Sequence, residues 1–315
     1  MTDAATDFEA HLQRELSLRL MGMEEVIHAL CIAVLARGHV MLEGPPGLGK
    51  TRLGKGFAEV LGGSFKRIQG TADLMPTDIT GVHIYNSQTQ QFEFQLGPVF
   101  ADIVLVDELN RAGPKTQSAL LEAMEERQVS VDRESFALSD DFLVIATRNP
   151  QEFEGTFPLP ESQLDRFSLC VPVGYLEPEH EAHVLETYNL PAAELHGEAP
   201  LQPVDPTLLA SARESIGQVH LSRELIDYVL NLAAATRNSV SIGLGLSVRG
   251  ALTLVRAARI EAALRGGDFV APDDVKAVFD SVVTHRLQLT PEAAIEGISA
   301  REVIAQLLDH VAVPR

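Results

Sequence analysis

Uninterrupted apolar runs are the clearest pattern along this chain, and they predict buried strands. The runs at 103–106 and 142–147 show no alternation of apolar and polar residues, which is typical of strands buried on both faces of a parallel sheet. A shorter apolar run lies at 39–42. The other elements predicted here are strands at 65–68 and 168–173 and helices at 52–60 and 115–127. Strands that alternate with helices predict an α/β fold with a doubly wound parallel sheet.

Helical periodicity dominates both ends of the chain. Residues 8–36 show the spacing of two amphipathic helices. The segment 191–206 is rich in Pro, Ala and Glu and predicts a linker. We therefore expect an α/β domain at 1–190, with the N-terminal helices, and a small all-helical lid domain at 207–315. The predicted lid helices are 208–219, 224–236, 248–264, 273–283 and 303–311.

Short alternating runs around polar turns predict two β-hairpins, one within 83–94 and one within 128–138. In the lid, 239–247 contains two glycines and is expected to form a flexible joint before a helix.

Composition narrows the class of protein. The chain has 315 residues, of which 45% are hydrophobic and 22% charged, as in ordinary soluble globular proteins. No apolar run has membrane-spanning length, and the N-terminus lacks a signal-peptide pattern. Cys31 and Cys170 are expected to be buried thiols in a reducing compartment, so we expect a cytoplasmic protein. The net charge of −19 disfavours nucleic acid and anionic lipid as partners.

A glycine-rich segment between the first predicted strand and a helix indicates phosphate binding. Its glycines allow a tight turn that aims backbone N–H groups at an anion, and the following helix adds the positive end of its dipole. Lys50 would reach the terminal phosphates of ATP, and the Thr51 hydroxyl would bind Mg²⁺. The alternative is a structural turn with a surface lysine. The candidate nucleotide-binding residues are Gly44, Pro45, Pro46, Gly47, Leu48, Gly49, Lys50, Thr51 and Arg52.

Polar residues follow two of the predicted buried strands, at the edge where open α/β sheets bind their ligands. Asp107 would hold the Mg²⁺ through water, and Glu108 would polarise the attacking water. Asn149 could orient that water. The alternatives are a solvated acidic loop for the pair and a turn asparagine before proline for Asn149.

Arg249 stands in the first turn of a predicted lid helix. A cation there opposes the helix dipole. This small cost suggests a partner such as a nucleotide phosphate, and a plain surface arginine is the alternative.

Taken together, these segments resemble the AAA+ ATPases of the MoxR family. The resemblance covers about residues 10 to 265, and its long middle segments are more specific than the phosphate-binding loop. The matching segments are GPPGLGKT (44–51), RIQGTADLMPTDITG (67–81), GPVFADIVLVDELNRAGPKTQSALLEAMEERQVSVD (97–132), VIATRNPQEFEGTFPLPESQLDRF (144–167) and GLSVRG (245–250). Three positions depart from the family pattern: Gly70 replaces a phenylalanine, Arg148 a glutamine and Val248 a proline.

The resemblance implies further roles for named residues. The Walker A and Walker B motifs would be 44–51 and 104–108, and Asn149 would be sensor 1. Arg166 would be the arginine finger that reaches the γ-phosphate of a neighbouring subunit, with Arg111 as a second candidate, and Arg249 would be sensor 2.

The resemblance also implies partners. The family forms rings, usually hexamers, and commonly acts with a protein that bears a von Willebrand factor A domain. Its members are chaperone-like and mature or activate client proteins, in some cases by inserting a metal or cofactor. The two predicted hairpins match inserts that face the ring pore or a partner.

Two functions from different classes follow. The first is a ring ATPase that remodels a protein client, with ATP bound between the sheet domain and the lid and low activity in the isolated subunit. The second is a nucleotide-switched assembly module with little turnover, against which the intact Glu108 and Arg166 argue. Nucleic-acid remodelling, as in other AAA+ groups, is disfavoured by the acidic charge balance.

Overall fold

A five-stranded parallel sheet with the order β2-β5-β8-β1-β9 forms the centre of the computed structural model. The structure describes residues 3–131, 134–149, 154–188 and 200–314. The strands are β1 (Val40–Glu43), β2 (Phe65–Gln69), β3 (Gly81–Asn86), β4 (Gln91–Leu96), β5 (Ile103–Asp107), β6 (Gln128–Val131), β7 (Glu134–Ala137), β8 (Leu143–Arg148), β9 (Leu169–Pro172), β10 (Ile242–Leu244) and β11 (Gln288–Leu289). The predicted parallel sheet is confirmed, and the carboxyl ends of its strands meet at one edge.

Helices cover both faces of this sheet. The helices are α1 (Asp3–Ser17), α2 (Glu24–Leu35), α3 (Lys50–Leu61), α4 (Pro76–Thr80), α5 (Pro114–Glu126), α6 (Glu161–Leu164), α7 (Pro178–Tyr188), α8 (Pro206–Gln218), α9 (Arg223–Asn238), α10 (Val248–Leu264), α11 (Pro272–Val283), α12 (Pro291–Ile295) and α13 (Ala300–His310). Among the residues that the structure describes, none of these helices is long and apolar enough to cross a bilayer.

Side chains of the central strands point alternately into two separate cores. On β5, Ile103 and Leu105 join the core that contains α1, α2 and α3, whereas Val104 and Val106 join the core formed with α5. Because both faces are covered by helices, both sets must be apolar. This explains why the strands appear in the sequence as unbroken apolar runs.

The N-terminal helices connect the sheet domain to the lid. Phe8, Leu12 and Leu16 of α1 are fully buried, and α1 packs against α2, α3, α8 and α10. Of the predicted linker, 191–199 lies outside the described residues. Residues 200–205 lie against the sheet domain, where the Val204 N–H donates to the Val60 carbonyl at 2.7 Å.

The lid contains more than helices. The segment 239–247, expected to be a flexible joint, contains β10, which pairs antiparallel with β11. Leu246 is fully buried, and its N–H donates to the Thr236 hydroxyl at 3.0 Å. The flexible joint was expected because the segment contains glycines and polar residues; that pattern did not predict the backbone pairing of β10 with β11.

The two hairpins inserted into the sheet domain form as predicted, β3 with β4 and β6 with β7. The turn of the second hairpin, 132–133, lies outside the described residues. Phe94 of the first hairpin stacks on Phe136 of the second with ring centroids 4.3 Å apart. The two inserts therefore form one connected surface.

Candidate functional site

The loop between β1 and α3 has the backbone that an anion-binding turn needs. Gly47 and Gly49 have φ angles of 86° and 77°, in the left-handed region that glycine adopts without strain. At Gly44, an added Cβ would lie 2.1 Å from the Val173 carbonyl oxygen, so only glycine fits. The loop leads into the first turn of α3, where the helix dipole favours a negative charge.

Lys50 is folded back across this loop. Its Nζ donates to the Gly44 carbonyl at 2.7 Å, and only 9% of the residue is exposed. Burial lowers the pKa of Lys50, and the nearby Asp107 and Glu108 carboxylates partly offset this effect. The ammonium is thereby held at the mouth of the loop, where a phosphate would meet it.

A carboxylate and a hydroxyl lie together beside the loop. The Thr51 hydroxyl donates to Asp107 Oδ2 at 3.4 Å, and Arg67 Nε donates to the same oxygen at 2.6 Å. Oxygen ligands of this kind suit Mg²⁺, which usually binds through one or two protein groups together with substrate phosphates. The donor set therefore fits the predicted metal site.

Glu108 has an unusual backbone and a defined side-chain partner. Its φ of 55° lies in the left-handed region, which is uncommon for a residue with a Cβ. The Glu108 N–H donates to the Thr147 hydroxyl at 2.9 Å. The Gln69 amide donates to Glu108 Oε2 at 3.1 Å, and Arg111 Nε lies 3.5 Å from the same oxygen. Such strain is found at functional sites where the surrounding structure fixes the residue.

Gly70 packs directly against this strained residue. An added Cβ at Gly70 would lie 2.2 Å from the Glu108 carbonyl oxygen. The Gly70 N–H donates to the Asp107 carbonyl at 2.7 Å. The departure from the family pattern at position 70 thus lies at the point where β2 approaches the acidic pair.

One cavity of about 390 Å³ at the carboxyl edge of the sheet collects most of the predicted site; we name it the phosphate cavity. Its lining residues are Gly44, Pro46, Gly47, Gly49, Lys50, Thr51, Arg52, Arg67, Gln69, Asp107, Glu108, Thr147, Arg148 and Asn149. Of the predicted nucleotide-binding residues, Pro45 and Leu48 do not line it. The Arg148 guanidinium pairs with the Glu43 carboxylate.

A second, more apolar cavity of about 240 Å³ adjoins the phosphate cavity. The two share Gly47, Gly49 and Arg52, and Leu48 lies in the second. Its apolar lining comes from the loop between α1 and α2, from α7 and from the residues just before α7: Leu20, Met21, Met23, Tyr175, Leu176, Val184 and Leu185. Apolar walls beside a few polar groups are typical of small-molecule sites.

Arg166 and Arg249 lie outside the phosphate cavity. Arg166 Nη2 is 3.0 Å from Glu125 Oε2, and Arg249 Nη2 is 2.6 Å from Glu125 Oε1. Among the described residues, none from the lid lines either cavity. The expectation that ATP lies between the sheet domain and the lid of one chain stays a prediction that neither cavity supports, since the lid packs against α5, β9 and the N-terminal helices.

These arginines belong to a third cavity, also of about 240 Å³, which we name the arginine pocket. Its charged members are Glu125, Asp165, Arg166, Arg249, Arg256 and Arg286. Arg286, whose side chain is only 2% exposed, donates to Asp165 at 2.7 Å. This buried pair fixes the lid against the segment that carries Arg166.

Four residues of the phosphate cavity were not predicted as site residues: Arg67, Gln69, Thr147 and Arg148. Parallel pairing places Gln69 directly beside Asp107. Polar residues at the end of β2 were a usable signal, because β2 ends at the same edge as β5. Thr147 immediately precedes the strand end and contacts both Asp107 and Glu108.

Comparison with known proteins is consistent with this geometry. A family model described as "ATPase family associated with various cellular activities (AAA)" matches residues 39–169. A second, described as "AAA lid domain", matches residues 234–307. The first covers β1 to β8 and the phosphate cavity, and the second covers most of the lid.

Relatives match over nearly the whole chain. The chain is 41% identical to "Chaperone MoxR1" of Mycobacterium tuberculosis over 94% of this chain and 80% of that protein. It is 33% identical to "Protein MoxR" of Methylorubrum extorquens, covering 90% and 89%. A crystal structure of a protein from Cytophaga hutchinsonii superposes with a TM-score of 0.90 at 35% identity, covering 99% of this chain and 98% of that one.

Proposed function

This chain belongs to the MoxR family of AAA+ ATPases, and on that premise we propose that it hydrolyses ATP in a ring of identical subunits, a hexamer, and so drives the remodelling of a protein client. One observation carries the proposal: Lys50, Thr51, Asp107, Glu108 and Asn149 line a single cavity at the carboxyl edge of the sheet. Each provides a different group that phosphoryl transfer to water requires.

The chemistry follows from the position of each group. Lys50 and the loop amides neutralise charge on the terminal phosphates, and Thr51 and Asp107 would hold Mg²⁺, which would supply further neutralisation when bound. Glu108 accepts a proton from the attacking water, and Asn149 orients that water. The adjoining apolar cavity receives the adenine ring, and Arg52 lies between the two cavities.

The ring is supported by the absence of Arg166 and Arg249 from the lining of the phosphate cavity of their own chain. Arg166 and Arg249 are on another face, held by Glu125. A cation that acts on a phosphate from that face must act on a neighbouring copy. Head-to-tail contacts of this kind close into rings. We assign Arg166 as the finger and Arg249 as a second cation supplied to the neighbour. Arg111, which lies beside Glu108 of its own chain, is the weaker finger candidate.

The client side of the proposal rests on relatives and on the two inserts. The name "Chaperone MoxR1" supports action on other proteins, and we propose a partner with a von Willebrand factor A domain and a client that is matured or activated, by metal or cofactor insertion in one form. The joined hairpins expose Phe92 at 70% and Tyr85 at 53%, which suits protein contact. We place the protein in the cytoplasm, since Cys31 and Cys170 are buried free thiols.

A mixing experiment tests the shared site directly. Glu108→Gln damages the phosphate cavity and leaves the arginine pocket intact, whereas Arg166→Ala does the reverse. Each variant alone should lose turnover, by about 10³–10⁵-fold for Arg166→Ala. Mixed in equal amounts, they should recover about a quarter of wild-type activity, because one interface in four joins two intact faces.

The matched control mixes Glu108→Gln with Lys50→Ala. Both variants damage the phosphate cavity, so no interface is complete and no activity should return. Full activity of Arg166→Ala alone, or equal recovery in both mixtures, would contradict the proposed ring.

A further inference from the structure

Glu125 is the only carboxylate in the described part of the chain that pairs with both Arg166 and Arg249. The three residues come from different elements: Glu125 from the end of α5, Arg166 from the segment after α6, and Arg249 from the start of α10. One oxygen of the carboxylate faces each guanidinium. A single side chain thus contacts both arginines.

The pocket around this carboxylate carries an excess of positive charge. Asp165 neutralises the buried Arg286, which leaves Glu125 facing Arg166 and Arg249. Arg256, two turns further along α10, also lines the pocket and is exposed. In a chain with a formal net charge of −19, three cations around one carboxylate form a local site for a further anion.

The pairing of Arg166 with Glu125 does not provide an acceptor for every N–H donor of the guanidinium. The pairing with Glu125 engages Nη2, while Nε is shielded from solvent and has no partner among the described residues. A shielded N–H without an acceptor costs free energy. A terminal phosphate presents three oxygens and is recognised by guanidinium groups through paired hydrogen bonds. It would therefore satisfy donors that Glu125 leaves open.

Glu125 is not needed to hold the lid in place. The Arg286–Asp165 pair is deeply buried, and the adjacent His285 ring hydrogen bonds to the Phe167 carbonyl at 3.0 Å. The Glu125 side chain is 36% exposed, and that of Arg249 is 51% exposed. The ion pairs of Glu125 are thus exposed to solvent and can break without releasing the lid, whereas the Arg286–Asp165 pair that anchors the lid is buried.

We propose that Glu125 is a resident counter-anion that holds Arg166 and Arg249 until the terminal phosphate of ATP bound to a neighbouring copy takes its place. Glu125 is then a positioning residue that competes with the phosphate. This inference rests on the proposed ring ATPase. It adds that Arg166 and Arg249 leave the Glu125 carboxylate of their own chain each time they bind the phosphate of a neighbouring copy's ATP.

Competition predicts a specific kinetic result for Glu125→Gln, which keeps the shape and removes the charge. Without the competing carboxylate, the arginines engage the phosphate at a lower ATP concentration. We expect the ATP concentration for half-maximal rate to fall about three- to tenfold, the size expected for two partly exposed ion pairs, with the maximal rate retained. Glu126→Gln is the matched control, since Glu126 is exposed on the same helix and has no described partner; its half-maximal concentration should match the wild type.

The opposite result identifies a structural role. If Glu125 orients the arginines for catalysis, Glu125→Gln lowers the maximal rate and leaves the half-maximal concentration unchanged or higher, and either outcome overturns the inference. Glu125→Asp, whose shorter carboxylate does not span both arginines, should show an intermediate shift and serves if the Gln variant melts early. Failure of the mixing experiment would refute the ring; success there with no shift here would refute only the role of Glu125.

Discussion

The phosphate cavity and the arginine pocket, which we propose to meet between neighbouring subunits, are built in different ways. The phosphate cavity is formed by strand ends and a glycine-rich loop, so its geometry comes mainly from the backbone. The arginine pocket is formed by side chains from α5, α10, the segment after α6 and the turn after α11, so its geometry comes from tertiary packing. The phosphate cavity contains the glycine-rich loop and the acidic pair Asp107 and Glu108, and the arginine pocket contains Arg166 and Arg249.

Their ion pairs also differ in strength. In the phosphate cavity, Asp107 pairs with Arg67, whose side chain is 49% exposed. In the arginine pocket, the anchoring Arg286 is almost fully buried. Exposed pairs contribute little to stability, whereas breaking a buried pair leaves a costly unpaired charge. The Arg286–Asp165 pair should therefore be more sensitive to the loss of one charge than the Arg67–Asp107 pair.

The largest effect on stability is expected for Asp165→Asn. Burial lowers the pKa of Arg286 and Asp165 partly offsets this effect, so without the Asp165 carboxylate this buried cation keeps only backbone carbonyls as acceptors. We expect the free energy of unfolding to fall by about 3 kcal/mol, measured by urea denaturation. Asp309→Asn, at an exposed position on α13, is the control and should be neutral. An equal loss in both variants would show that the buried pair is not an anchor.

Arg249→Ala tests whether Arg249 acts on ATP bound to a neighbouring subunit or on ATP bound to its own chain. We expect turnover to fall about 10²–10³-fold, the cost of losing one charged donor at the reacting group. Binding of a fluorescent ATP analogue to dilute, unassembled protein should not change, because Arg249 does not line its own phosphate cavity. Arg223→Ala, at an exposed position on α9, is the control. Weaker analogue binding in the dilute Arg249 variant would place this arginine in its own chain's site.

The sequence predicted the phosphate cavity better than the arginine pocket for a physical reason. The loop, the acidic pair and Asn149 each follow a strand of one parallel sheet, and parallel strands place their carboxyl ends together. Neither strand ends nor spacing could bring Glu125 to Arg249, which lie 124 positions apart. The contact between Glu125 and Arg249 depends on how the lid packs against the sheet domain. The buried Arg286, which anchors that packing, lies outside every recognised motif.

Gly70→Ala tests the strain within the phosphate cavity. The added methyl group would meet the Glu108 carbonyl, so either β2 or the acidic pair must shift. Overpacking of this kind costs about 1–3 kcal/mol, and displacement of Glu108 should lower turnover at saturating ATP. Gly217→Ala is the control, because an added Cβ there meets nothing within 4 Å. Undiminished turnover would show that the backbone of Glu108 tolerates movement.

The smallest effect is expected at His28 of α2. This residue pairs with side chains of α1 and α10 and so links the N-terminal helices to the lid. Its ring lies between Glu9 of α1 and Glu261 of α10, the helix that also carries Arg249. Burial acts to lower the pKa of His28, but hydrogen bonds and charge from Glu261 and Glu9 outweigh it and raise the pKa to about 10. The imidazolium therefore persists at neutral pH and ties α10 to the helices that precede the phosphate-binding loop.

Because the folded pKa is raised above the unfolded value of about 6.5, the contribution of the charge to stability is fully present below pH 6.5 and is lost as the pH rises toward 10. We expect His28→Gln to lower the free energy of unfolding by about 1 kcal/mol at pH 6.5 and by progressively less up to pH 10, measured by denaturation across that range. His310→Gln, at an exposed position on α13, should show no such trend. A difference between wild type and His28→Gln that stays constant with pH would mean that packing, not charge, joins α10 to the N-terminal helices, and that the two regions are coupled by shape alone.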